Sequence, residues 1–136
     1  TMRQLLFLFT LTRVLHLSAA MLPAEKILLV TVDEIGSIAV NNDPVSSDVL
    51  ANYIQERLFK SYIGTGNMHD RIKLQKADNN LPDLITEAII KEIKEGQRKA
   101  LISLCLSKYK QLYSDIDKKK QEKIQKQFPV LFQTDF

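Results

Sequence analysis

Residues 27–58, ILLVTVDEIGSIAVNNDPVSSDVLANYIQERL, set strand, turn, strand, turn and helix end to end, an order few folds accommodate. Ile27 to Val32 is a continuous run rich in β-branched residues, of strand length and suited to burial on both faces. Asp33, Glu34, Ile35 and Gly36 supply a turn in which Gly36 can take positive φ. Residues 37–40 then return as a short antiparallel strand. Asn41, Asn42, Asp43 and Pro44 read as a second turn, because Asn and Asp side chains bond their own backbone. Ser46 or Ser47 is placed to cap a helix, with Asp48 in its electropositive first turn. Val49, Leu50, Tyr53, Ile54 and Leu58 share one face of that helix.

The helix should fade near Lys60, since Gly64, Gly66, Asn67 and Asp70 give residues 62–70 a loop composition. Ile72 and Leu74 alternate with Arg71, Lys73 and Gln75, which predicts a strand with one wet face. Beyond the loop Asp78-Asn79-Asn80, Pro82 suits the first position of a helix. Leu84, Ile85, Ala88, Ile89, Ile93, Ala100, Leu101, Leu104 and Cys105 hold the helical period to about Tyr113, with Gly96 the one weak point. One long or kinked helix is favoured over two helices broken at Gly96 and Gln97. Ser114 and Asp115 form a joint, and Asp117 caps a polar helix running to Gln127. Phe128-Pro129 ends that helix, and residues 130–136 read as an extended tail. The expected fold is α+β: a small, mostly antiparallel sheet with helices packed on one face, plus a C-terminal helical extension. The chain divides as residues 1–23, 24–113 and 114–136.

A chain of 136 residues with 45% apolar and 26% charged side chains has the balance of one globular domain. Its formal charge of +3 is too small to imply nucleic acid. The lysine run Lys118, Lys119, Lys120, Lys123 and Lys126 reads first as the solvated face of a helix, with a polyanion-binding patch as the alternative. A lone cysteine, Cys105, permits no intramolecular disulfide and falls on an apolar helix face, as a small buried hydrophobe would.

Residues 5–22 are apolar except for Thr10, Thr12, Arg13, His16 and Ser18. Three readings stand open. The segment is a secretory signal ending in the small residues Ser18, Ala19 and Ala20. Or it is the end of a membrane helix from which Arg13 and His16 snorkel into headgroups. Or it is an amphipathic helix docked on the domain. The first two send the remaining chain out of the cytoplasm.

Catalytic patterns are scarce: there is no glycine-rich phosphate loop, nucleophile elbow or paired-histidine helix. His69, beside Asp70 in a loop, reads as a solvated residue. Asp78, Asn79, Asn80 and Asp83 cluster between a strand and a helix start, where loops of α+β domains bind partners. Turn formation and helix capping account for the same residues. Neither an enzyme nor a cofactor is expected.

Several segments resemble the periplasmic part of the ExbD/TolR family of biopolymer-transport proteins, in the branch with a C-terminal helical extension. The first is residues 27–58, with the polar turn and Pro-Val at Asn41-Asn42-Asp43-Pro44-Val45. The second is IKLQKADNN, residues 72–80, similar to that family's second major strand and polar loop. The third joins Tyr113-Ser114-Asp115-Ile116-Asp117 to the Gln-rich residues 121–126 and Phe128-Pro129. The resemblance covers residues 25–130 and implies a non-enzymatic component of a complex driven by the proton-motive force. Such a component supports TonB-dependent transport across the outer membrane. Residues 5–12 would then belong to a single-pass inner-membrane helix, with the main domain in the periplasm as a homodimer. An ExbB/TolQ-like membrane subunit and a TonB-like protein would be its partners. By this spacing, the Asp that relays protons in that helix would fall at or before residue 1. The alternative is a secreted α+β interaction domain with a signal peptide and no motor role.

Overall fold

The computed structural model describes residues 26–136, so the readings of residues 1–25 lie outside the described residues. Strands β1 (Ile27–Val32), β2 (Ile38–Val40) and β3 (Asp43–Val45) follow one another, then helix α1 (Leu50–Thr65) and strand β4 (Arg71–Lys76). Helices α2 (Asp83–Tyr109) and α3 (Lys118–Gln127) complete an α+β fold around a four-stranded sheet of order β3-β2-β1-β4.

That sheet is mixed, which corrects the expectation of a mostly antiparallel one. β1 pairs antiparallel with β2, and β2 with β3, but β1 and β4 run parallel from Ile27↔Arg71 to Val32↔Lys76. The cause is the connection: α1 carries the chain back along the sheet, so β4 enters from the end where β1 begins.

The turns follow their side chains. The Asp33 carboxylate accepts the N–H groups of Ile35 and Ser37 at 3.0 and 2.8 Å, and Gly36 adopts φ +88°. Asn41 and Asn42 make a two-residue hairpin turn with φ of 47° and 73°, the left-handed region that Asn tolerates. Asp43 and Pro44 are therefore not part of that turn but the start of β3. Proline is accepted there because β3 is an edge strand and its missing N–H costs no ladder bond.

Ser46 precedes a 3₁₀ turn at Ser47–Val49 that runs into α1. The helix passes Lys60 and Gly64 and stops at Gly66, whose φ of 80° makes the left-handed C-cap, so it outlasts the expected fade. Leu50, Ile54 and Leu58 are buried, whereas Val49 is exposed. Helix α2 runs through Gly96 for 27 residues without a break. Gly96 is buried where α2 crosses α1, against Ile54 and the backbone of Ala51. The two helices run parallel, because Lys99 donates to Asn52 (2.7 Å) and Gln55 to Ser103 (2.9 Å), so later residues of one meet later residues of the other. Leu84, counted on the apolar face, is 77% exposed in the first turn of α2.

The C-terminal region joins the same core. Asp117 accepts the Lys120 N–H at 2.9 Å and caps α3 as expected. Ile124, Phe128, Val130 and Leu131 are buried with the sheet's Leu28, Val30 and Ile72. The tail is not simply extended: Pro129–Phe132 form a 3₁₀ turn that tucks Val130 and Leu131 inward.

Candidate functional site

The two edges of this sheet differ. β3 is three residues long and contains Pro44, which leaves a gap in the donor row of its outer side. It is also fenced by a polar cluster. The Tyr53 hydroxyl donates to Asp43 at 3.0 Å, and Arg57 lies 3.7 Å from the same carboxylate and 5.9 Å from the Tyr53 ring. Desolvation, with help from the Asp43 carboxylate, raises the Tyr53 hydroxyl's pKa above its ordinary value.

β4 is six residues long and carries no proline, and no further described strand lies beyond it. Its side chains alternate as the sequence predicts: Ile72 is buried and Leu74 half-buried, while Arg71, Lys73 and Gln75 face solvent. The backbone alternates as well. Ile72 turns its N–H and C=O away from β1, and the side-chain amide of Gln133 takes both. The Ile72 N–H donates to Gln133 Oε1 at 2.8 Å, and Gln133 Nε2 donates to the Ile72 carbonyl at 2.6 Å. One glutamine side chain thus makes the paired bonds that a neighbouring strand would make. By the same two-residue alternation, Leu74 and Lys76 present their N–H and C=O groups outward.

Gln133 is held in turn by the core. Gln97 of α2, 4% exposed, donates from Nε2 to the carbonyls of Val130 (2.8 Å) and Gln133 (3.0 Å). A buried amide therefore needs the tail, and the tail's own amide clasps β4. Between tail and strand lies a shallow groove of ≈ 530 Å³ bordered by Ile72, Leu74, Pro129, Gln133 and Phe136. The sequence reading missed both glutamines. The available signal was a polar residue at position 97, in the middle of an apolar helical period.

Asp78, Asn79, Asn80 and Asp83 are brought together on the link from β4 to α2. The Asp78 carboxylate accepts the Asn80 N–H at 2.9 Å, its carbonyl accepts the Leu81 N–H at 3.2 Å, and Asp83 opens α2. Turn-making occupies Asp78, while Asn79, Asn80 and Asp83 are exposed. His69 is buried at 3% exposure rather than solvated, because the loop folds under the entry of β4 next to Met68. Cys105 is fully buried, and desolvation pushes its thiol pKa up. Among the described residues, no three His, Cys, Asp or Glu side chains gather as a metal site, and no helix is long and apolar enough to cross a membrane.

A second, larger groove of ≈ 680 Å³ lies at the other end of the sheet, among Ile35, Leu50, Leu84, Ile85 and Ala88. Its lining is mostly apolar, so it offers little to reaction chemistry. The β4 edge offers directional backbone donors and acceptors that could recognise another chain. Neither family models, curated proteins nor solved structures yield a match to this chain.

Proposed function

We propose that this chain is a non-enzymatic coupling module that accepts a strand from its partner along β4. It would work within an energy-transducing complex of the ExbD/TolR kind. In this reading residues 5–12 belong to a single inner-membrane helix seated against an ExbB/TolQ-like subunit. The α+β domain lies in the periplasm as a homodimer and passes force to a TonB-like protein during transport across the outer membrane. Helices packed on one face of the sheet would leave its edges available for that contact.

The observation that carries the reading is the edge of β4, beyond which no described strand lies, with outward groups at Leu74 and Lys76 beside a clasp that already imitates a strand at Ile72. Strand addition draws affinity from such backbone bonds and specificity from alternate side-chain pockets.

Purification of the full chain from native membranes tests this reading. We expect an ExbB-like subunit to co-purify and a TonB-like protein to cross-link near β4. Leu74→Pro removes an outward N–H while leaving the β1–β4 ladder in place. It should keep the membrane subunit and lose the cross-link. A chain that never co-purifies with a membrane subunit overturns the motor role. A Leu74→Pro variant that cross-links as before overturns strand acceptance.

A further inference from the structure

The chain's excess positive charge is concentrated in one place. Residues 106–127 hold seven lysines against three carboxylates, while residues 26–105 hold ten basic and eleven acidic side chains. Ile124, with half-buried Gln121, turns toward the core, so the outward face of α3 is opposite them. Lys119, Lys123 and Lys126 occupy that face at i, i+4 and i+7 and form one exposed stripe. Lys118 and Lys120 flank it, and Glu122 is the single acid alongside. Among the described residues, Lys118, Lys119, Lys123 and Lys126 make no ion pair, while Lys120 lies 3.9 Å from Asp117 and 5.3 Å from the centroid of the Tyr109 ring.

The position of the stripe narrows its partner. Phe128, just past α3, packs edge-on to Tyr62 near the end of α1 at 5.5 Å between ring centroids. The Asp70 N–H donates to the Lys26 carbonyl at 2.6 Å. Lys26, the end of α1 and the end of α3 therefore share one end of the fold, the end from which the chain runs back toward residue 22. Three residues, Pro23, Ala24 and Glu25, separate Lys26 from the apolar segment. They span at most about 10 Å, comparable to the distance over which charges act in physiological salt.

We infer that the Lys119–Lys123–Lys126 face of α3 is a docking surface for an anionic lipid bilayer. It holds this end of the domain against headgroups and turns the β4 edge to a fixed orientation. The choice of lipid over another polyanion rests on the membrane-tethered reading proposed above. Each lysine near an anionic surface adds attraction, so loss of three lowers affinity about a hundredfold.

Sedimentation of the full chain with vesicles tests the inference, using phosphatidylcholine alone and an equimolar mixture with phosphatidylglycerol. Any contribution of residues 5–22 is common to both vesicles, so the ratio of affinities reports the stripe and binding to neutral vesicles reports the anchor. We expect the ratio to be about a hundredfold at low salt, to shrink as salt rises, and to approach one in the triple variant Lys119→Gln, Lys123→Gln, Lys126→Gln. The triple variant should keep its helical circular dichroism, since all three side chains are exposed. A ratio of one for the unaltered chain, or an undiminished ratio in the triple variant, overturns the inference. Tighter binding to duplex DNA than to anionic vesicles overturns it too. A retained ratio with no binding to neutral vesicles supports the stripe while removing the anchor.

Discussion

A Cβ built on Gly96 would lie 2.8 Å from the Ile54 side chain and 2.9 Å from the Ala51 carbonyl oxygen, whereas one on Gly64 meets nothing within 4 Å. Both glycines are helical, and the same substitution should act on them with opposite sign. Gly64→Ala gains helix propensity and stabilises by about 0.5–1 kcal/mol. Gly96→Ala gains the same propensity but forces α1 and α2 apart against a backbone atom. Overpacking of that kind costs about 1–3 kcal/mol, leaving a net loss of up to about 2.5 kcal/mol. Urea unfolding of the two variants measures both. Gly96 reads from sequence as a helix-weakening residue because propensity is local, while its reason for being there is a neighbouring helix. Gln97 is legible only as an oddity, since its partners are 33 and 36 residues away.

Elements were legible where their cause is short-range. The β1 strand, the Asp33 turn, the alternation of β4 and the Asp117 cap each depend on residues within one turn or one strand and form where expected, although β1 buries only the face of Leu28, Val30 and Val32 and the Asn turn is confined to Asn41 and Asn42. Strand direction was not legible as it was read. The expected sheet is mostly antiparallel, although the order strand–helix–strand around α1 already carries the parallel signal. The tail differs from an extended one because Pro129 ends a helix in any context, while the 3₁₀ turn after it buries Val130 and Leu131 and meets Gln97, 33 residues away. The candidate loop Asp78, Asn79, Asn80 and Asp83 was legible as a location, whereas the β4 edge emerged only from the pairing. The tail elements should therefore behave as one unit. Gln97→Leu leaves two carbonyls without their donor and should cost about 1–3 kcal/mol. Gln133→Ala should cost less on its own and add little once Gln97 is replaced. A double-mutant cycle on thermal unfolding reads that coupling, and strict additivity would mean that the two amides act separately.

The whole molecule has two unlike sheet edges and one charged end. β3 is short, proline-bearing and fenced by Tyr53, Asp43 and Arg57, while β4 is longer and clasped at a single residue. The tail that clasps β4 also packs Val130 and Leu131 into the core, so the edge is held straight without being fully paired. Amide hydrogen exchange on the full chain, alone and bound to its partner, tests the strand-accepting edge most directly. In the free chain the Ile72 amide should be protected by Gln133, while the Leu74 and Lys76 amides exchange quickly. In the complex, protection should extend to Leu74 and Lys76. Unchanged exchange at those two amides in a saturated complex would contradict the account.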